Sequence, residues 1–222
     1  MNVLIFGGTG SLGKELVFNM RSRGDHVLVA TRKTPIANQI QVSESFEELK
    51  TIPYKIDAVA WFQGVNINDS LSTSSAFTEV FEANVNFIIR SLSTLINLDS
   101  LANPSRLLIV SSVWQRLSRK NKFSYSVSKS AISGIVKSVT SDYGRQGITI
   151  NAILPGVIKN EMTMKNLSPS QLTSIENATP LGKLVTSKEI AAIATWLLSP
   201  DASGIAGQSI VIDNGWSDTR DI

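Results

Sequence analysis

The chain opens on Val3-Leu4-Ile5-Phe6, passes through Gly7-Gly8-Thr9-Gly10-Ser11-Leu12-Gly13, and continues as Lys14-Glu15-Leu16-Val17. An apolar run, a cluster of glycines and a mixed apolar and charged stretch read as a buried strand, a tight turn and the start of a helix. This unit constrains the fold more than any other stretch. Glycines at 7, 10 and 13 let backbone amides approach a pyrophosphate, which would then lie on the helix N-terminus. The competing reading is a tight strand-to-helix turn that holds no ligand.

The remainder of the chain repeats the alternation. Strands are expected at 2–6, 26–31, 39–42, 57–62, 106–111, 148–153 and 209–212, and helices at 11–23, 44–50, 75–98, 124–145, 169–177 and 187–198. Such alternation implies a parallel sheet covered on both faces, an α/β doubly wound fold of Rossmann type. At 222 residues the chain suits one well-buried core and is small for two α/β domains, so 1–222 reads as a single domain. Residues 33–56 are compressed and must hold a loop, a strand and at most a short helix.

Composition removes several classes. The chain has no cysteine and one histidine, His26, so disulfides, thiolate chemistry and a metal centre are not expected. Net charge is +3, and Arg116, Arg119, Lys120 and Lys122 read as solvated loop charges rather than a nucleic-acid surface. No apolar run approaches the ~20 residues that cross a bilayer. The first residues lack the basic region and cleavage pattern of an export signal. The expectation is a cytoplasmic protein that binds neither nucleic acid nor membrane.

Tyr125 and Lys129 stand four residues apart in an expected helix, which places them on one face. A phenol titrates near ~10 in water, and a neighbouring cation pulls that value down. Ser112, thirteen residues before Tyr125, could hydrogen-bond a substrate oxygen. These are the parts of a proton donor for carbonyl reduction. Tyr-x-x-x-Lys alone arises on many helices, so the pair gains weight only from the rest of the chain.

Further landmarks follow in order: Asn84 within Phe81-Glu82-Ala83-Asn84-Val85, the run Leu107-Leu108-Ile109-Val110-Ser111-Ser112, Asn151-Ala152-Ile153-Leu154-Pro155-Gly156, and Gly207 to Gly215 with its Asp213-Asn214-Gly215. On these residues the chain resembles the short-chain dehydrogenase/reductase family over nearly its whole length, most strongly from Asn84 onward. The resemblance implies hydride transfer between a nicotinamide cofactor and a carbonyl or alcohol. It implies four catalytic residues: Ser112 binding the carbonyl oxygen, Tyr125 moving the proton, Lys129 lowering the Tyr125 pKa and contacting the nicotinamide ribose, and Asn84 positioning a water that links Lys129 to solvent. Cofactor contacts are implied at Gly7, Thr9, Gly10, Ser11, Leu12, Gly13, Gly64, Tyr125, Lys129, Pro155, Gly156, Ile158 and Asn160.

The second strand ends Val29-Ala30-Thr31-Arg32-Lys33. NAD-preferring folds place an acid here to bind ribose hydroxyls. Thr31 stands in that place, and Arg32 could grip a 2′-phosphate through paired N–H groups. NADP(H) is therefore favoured, with NAD(H) possible; the other reading of Arg32 and Lys33 is solvated loop charge.

The chain also departs from the family pattern. Trp61-Phe62-Gln63-Gly64 stands where relatives commonly carry Asn-Asn-Ala-Gly, which adds bulk beside the expected cofactor groove. Phe6 and Ser11 replace a threonine and a glycine of the usual turn, and Asn160 replaces a frequent threonine. The altered 61–63 stretch motivates an alternative, a cofactor-binding sensor with weak or no catalysis. Enoyl reduction is a further option, and the four-residue Tyr–Lys spacing argues against it, since enoyl reductases usually pair these residues more widely.

Relatives cover the substrate with the segment that corresponds to Asn160–Val185. Here Met162, Met164, Leu167, Leu172, Ile175 and Leu181 form an apolar lid or pack a short helix onto the body, and Trp114 is a candidate pocket residue. The substrate reads as a small-molecule or acyl-carrier-linked carbonyl compound. Relatives assemble through two long helices, so a homodimer or homotetramer is expected. The candidate interface residues are Phe77, Phe81, Phe87, Ile88 and Leu92 on the first, and Ile132, Ile135, Val136 and Val139 on the second; some of these must pack on the sheet.

Overall fold

Strand β1 (Asn2–Phe6) lies between β2 (His26–Thr31) and β4 (Ile56–Trp61) and runs parallel to both. The structure is a computed structural model and describes residues 1–219. Strand β3 (Gln39–Gln41) extends the sheet beyond β2, while β5 (Leu101–Val110), β6 (Ile148–Pro155) and β9 (Ser209–Ile212) extend it beyond β4. The order is β3-β2-β1-β4-β5-β6-β9, with every pairing parallel. A separate ribbon pairs β7 (Ile158–Lys159) with β8 (Val185–Thr186). The expected doubly wound α/β fold is the fold observed. Chain order reverses between β1 and β4, and ligands of such sheets bind at the carboxyl ends of the strands beside that reversal.

Successive side chains of a strand point to opposite faces, and β1 divides accordingly. Leu4 and Phe6 join a core with Ile88, Leu92 and Leu95 of α3 (Phe87–Asn97) and Ile132 and Val136 of α4 (Phe123–Tyr143). Val3 and Ile5 join a second core with Leu16, Val17 and Met20 of α1 (Ser11–Ser22) and Ile190, Ala191 and Ala194 of α7 (Ser187–Leu197). Two helical layers therefore sandwich the sheet. Among the described residues no helix is long and apolar enough to cross a membrane.

Several elements differ from expectation. The helix expected at 75–98 is broken into a 3-10 segment (Leu71–Ala76), α2 (Phe77–Phe81), a π turn (Glu82–Asn86) and α3. The helix expected at 44–50 is a 3-10 turn, Glu47–Thr51. Strand β5 begins at Leu101 because a bulge carries Pro104: Ile56 pairs with Leu101, then Ala58 with Arg106. A proline lacks the amide a regular ladder needs, so a bulge is where a strand tolerates it. Helix α6 (Pro169–Asn177) falls where expected, while α5 (Glu161–Asn166), β7 and β8 were not anticipated. The side chain of Met162, one of the expected lid residues, lies outside the described residues.

Trp61 requires a correction. It does not add bulk to a cofactor groove; it is fully buried in the core beneath α3 and α4. Its ring stacks on Phe6 at 5.7 Å, and its indole N–H donates to Ser91 Oγ at 2.9 Å. Phe46, held at φ 57° by the compressed 33–56 segment, meets the Phe6 ring edge-on at 6.1 Å and the Phe87 ring at 4.9 Å. Aromatic pairs of this geometry contribute about 0.5–1.5 kcal/mol beyond the area they bury. Phe6 and Trp61 are thus one substitution in physical terms, two facing positions of neighbouring strands filled by stacked rings. Phe62 packs into the core on the opposite face of the sheet.

Candidate active site

Helix α4 carries Tyr125 and Lys129 one turn apart, as expected, and its N-terminus is anchored from a distance. The first turn of α4 has no acidic residue of its own. Instead the buried Asp69 accepts a hydrogen bond from the Ser124 amide at 2.9 Å and another from the Ser124 hydroxyl. A carboxylate on the first amides of a helix satisfies an otherwise unpaired donor and complements the helix dipole.

Asn84 occupies the π turn, a distortion often found at functional sites. Its carboxamide is almost fully engaged. Oδ1 accepts from the Val65 amide at 2.8 Å, while Nδ2 donates to Val65 O at 2.9 Å and to Ser128 Oγ at 3.0 Å. The residue therefore ties the loop after β4 to α4. Both amide hydrogens are committed, so any relay water would have to share Oδ1.

Gly64, the one position of the 61–64 stretch that keeps the family residue, belongs to the same cluster. A Cβ there would stand 3.1 Å from Asn84 Oδ1 and 3.6 Å from Lys129 Nζ. Lys129 is buried, its ammonium 5.7 Å from the centre of the Tyr125 ring and donating to Val110 O at 3.0 Å. Ser112 ends the segment after β5, and its Oγ accepts from the Trp114 amide at 3.3 Å. Trp114 packs edge-on against Trp216 at 5.9 Å, which joins the segment after Ser112 to the turn after β9.

The electrostatics correct one expectation. Burial pushes the Tyr125 phenol up to about 12, opposed by a hydrogen bond from Ser112. Burial lowers the Lys129 pKa as well, to about 8. Desolvation is the largest influence on both groups. Tyr125 is held as a neutral phenol, the form that donates a proton.

Lys122 is the residue that sequence reading missed. It is buried rather than solvated, with Nζ 5.4 Å from the centre of the Tyr125 ring and donating to Asn66 Oδ1 at 2.5 Å. Burial, with Arg119 adding to it and Asp69 opposing it, lowers its pKa to about 8. Its spacing from Tyr125 held a signal, since residues three apart at a helix start share a face.

The glycine turn stands at the carboxyl end of β1. Gly7 has φ 78°, and a Cβ on it would lie 2.5 Å from the Gln63 amide nitrogen. Gly13 packs on the same backbone, where a Cβ would stand 2.2 Å from Gly7 O. Gly10 differs: nothing in the chain approaches its Cβ position closer than 3.5 Å, so internal packing does not require a glycine there. It caps α1 with no side-chain hydrogen bond and no acidic residue in the first turn, and Thr9, Gly10 and Ser11 are exposed. Leu12, next in the turn, is half-buried against the α1 core.

These features fit a dinucleotide. Open amides at a helix N-terminus favour phosphate, and nearby the buried Gln63 carboxamide has no hydrogen-bond partner among the described residues.

The outer contacts are arranged as follows. Thr31 is buried, and its Oγ1 accepts from the Lys33 amide at 3.1 Å, shaping the turn after β2. Arg32 is exposed there. At the other end, Pro155 closes β6 and Gly156 lies against β9, where a Cβ would meet Asp213 Cβ at 2.7 Å. Ile158 pairs with Val185 in the small ribbon. Asn160 caps α5 by accepting from the Thr163 amide at 2.9 Å, so its carboxamide has a structural duty.

The comparisons agree with this arrangement. A family model described as "Enoyl-(Acyl carrier protein) reductase" matches residues 11–217. The 3-oxoacyl-(acyl-carrier-protein) reductase FabG of Buchnera aphidicola subsp. Schizaphis graminum is 25% identical, over 96% of this chain and 95% of its own. A short-chain dehydrogenase family protein from Francisella tularensis superposes with a TM-score of 0.86 at 22% identity, covering 98% of this chain and 99% of that one. A variant of an actinorhodin polyketide ketoreductase, solved with NADPH, gives 0.86 at 18% identity and covers 98% of each chain. With a parallel sheet reversing beside a glycine turn, a Tyr–Lys pair on the helix after the serine strand, and a family match along nearly the whole length, this chain belongs to the short-chain dehydrogenase/reductase family of nicotinamide-dependent oxidoreductases.

Proposed function

We propose that this protein reduces a carbonyl substrate with NADPH. The observation that carries the reading is that Ser112 and Lys129 meet at a half-buried, neutral Tyr125, while Asn84 is bonded to Ser128 on the same helix. The bound cofactor would supply a hydride to the carbonyl carbon. Ser112 holds the carbonyl oxygen, and Tyr125 gives its proton to the oxygen as the C–H bond forms. Lys129 offsets the phenolate left behind, and Asn84 keeps the loop after β4 seated on α4. Gly7, Thr9, Gly10, Ser11, Leu12 and Gly13 would receive the pyrophosphate. Thr31 and Arg32 would face the adenine ribose, with Arg32 on the 2′-phosphate. Pro155, Gly156, Ile158 and Asn160 would border the nicotinamide.

Among substrates, 3-oxoacyl groups on a carrier protein are the first choice, because the FabG relatives are named for them. The family model carries an enoyl reductase description, but the four-residue Tyr–Lys spacing favours carbonyl reduction. The sensor alternative loses its motive with Trp61 and Phe62 packed in the two cores. Action in the cytoplasm is part of the proposal.

A homodimer or homotetramer built on α3 and α4 is also part of it. Ile88, Leu92, Ile132 and Val136 are core residues, but Ile89 is exposed, and Ile96, Ile135, Val139 and Tyr143 line a groove of about 350 Å³ beside Gly134. Gly134 meets nothing within 4 Å, so a second helix could approach closely there.

The test is NADPH oxidation followed against a panel of 3-oxoacyl thioesters, simple ketones, sugars and enoyl thioesters. Turnover of a carbonyl compound supports the reading; cofactor binding without turnover of any of them would favour a sensor.

A further inference from the structure

Gln63 is half-buried, yet both polar atoms of its side chain are shielded from solvent and neither has a hydrogen-bond partner among the described residues. Leaving a buried polar group unpaired is costly, and native structures leave few such groups without a reason. The residue also stands where the family resemblance leads one to expect an alanine, which would incur no such cost.

Its place in the fold supplies the reason. The Gln63 backbone abuts the glycine turn, its amide nitrogen 2.5 Å from the Cβ position of Gly7. The next residue, Gly64, borders Lys129 Nζ at 3.6 Å from its own Cβ position. The Gln63 backbone thus lies against the glycine turn, one residue before the position that borders Lys129, at the carboxyl end of the strand beside the chain reversal.

A carboxamide offers both an N–H donor and a carbonyl acceptor. A ribose hydroxyl pair offers both in return. Phe62 and Trp61, turned into the two cores, are unable to replace the asparagines whose hydrogen bonds this stretch has lost.

We propose that the Gln63 carboxamide is a cofactor ligand of this chain, pairing with ribose hydroxyls of the bound dinucleotide. The inference rests on the cofactor reading above. Because the nicotinamide ribose carries no 2′-phosphate in either NADPH or NADH, Gln63 contributes to affinity for both, unlike Arg32.

The test uses Gln63→Met, which keeps the shape and removes the polar atoms, and Gln63→Ala. Fluorescence titration of the whole protein with NADPH and NADH is paired with melting of the ligand-free protein. The expected result is binding weakened roughly tenfold for both cofactors in both variants, about 1.4 kcal/mol, with the ligand-free Gln63→Met protein melting no lower than wild type. Unchanged affinity in variants that fold would overturn the inference. A fall in ligand-free melting temperature for Gln63→Met would also overturn it, because the amide would then be supporting the fold. If the wild-type protein binds neither dinucleotide, the cofactor reading itself fails, a result distinct from both.

Discussion

The Lys122 ammonium lies 5.4 Å from the centre of the Tyr125 ring, slightly nearer than that of Lys129 at 5.7 Å. A half-buried phenol is thus flanked by two buried lysines, each with its pKa lowered from 10.5 to about 8. The pair makes the stability of the ligand-free protein depend on pH in a defined direction.

Below pH 8 both lysines are charged in the folded and the unfolded chain, and the cost of burying them is fully present. Between about 8 and 10.5 the unfolded chain holds more protons than the folded one, so stability rises with pH. Tyr125, pushed up to about 12, acts in the opposite sense above 10, where the unfolded phenol ionises first. The lysine-driven rise is therefore expected to show between pH 8 and 10. Lys122→Met should reduce the rise to the part that Lys129 contributes and raise the melting temperature at pH 7. Identical pH slopes for the two proteins would show that Lys122 is not held as described.

Tyr125→Phe removes the transferable proton and little else. Reductase activity should fall by roughly 10²–10⁴-fold, the usual worth of a positioned general acid. NADPH affinity should change far less. Turnover at the wild-type rate on the best substrate would remove Tyr125 from the mechanism.

Arg32 is exposed at the end of β2. Arg32→Ala should weaken NADPH by roughly ten- to a hundredfold, the range of a charge-assisted hydrogen bond, and leave NADH almost unchanged. Parallel fluorescence titrations decide this. Equal losses would mean that the guanidinium does not read the 2′-phosphate.

Gly64→Ala places a methyl 3.1 Å from Asn84 Oδ1, within a carboxamide that already serves Val65 and Ser128. Overpacking of this kind costs about 1–3 kcal/mol. The variant should melt earlier and turn over more slowly, since the new methyl would also stand 3.6 Å from Lys129 Nζ. A protein of wild-type stability and rate would show that the loop after β4 yields without consequence.

The groove between α3 and α4 should close on a second copy of the chain. Light scattering at micromolar concentration should report at least twice 24.1 kDa. Ile135→Glu, whose side chain lines that groove, should shift the protein towards monomer. A wild-type mass near 24.1 kDa would dismiss the interface.

The amino-acid sequence by itself determined the parallel α/β architecture. Apolar strands such as Val3–Phe6 alternate with helices, and a period-2 or period-3.6 pattern is local information. The order Ser112, Tyr125, Lys129 was legible for the same reason, since two of the three share one helix. Tertiary structure decided what depends on contacts between distant segments. Trp61 stands next to a cofactor loop in sequence but stacks on Phe6 in the core, because strand alternation and pairing with β1 fix its face. Lys122 looked like loop charge until Asn66 and Tyr125 closed over it. Asp69, 55 residues from Ser124, became the cap of α4 only through folding. The Tyr125 pKa is raised rather than lowered because desolvation, a property of the whole packed site, is the largest influence on the phenol and outweighs the Ser112 hydrogen bond.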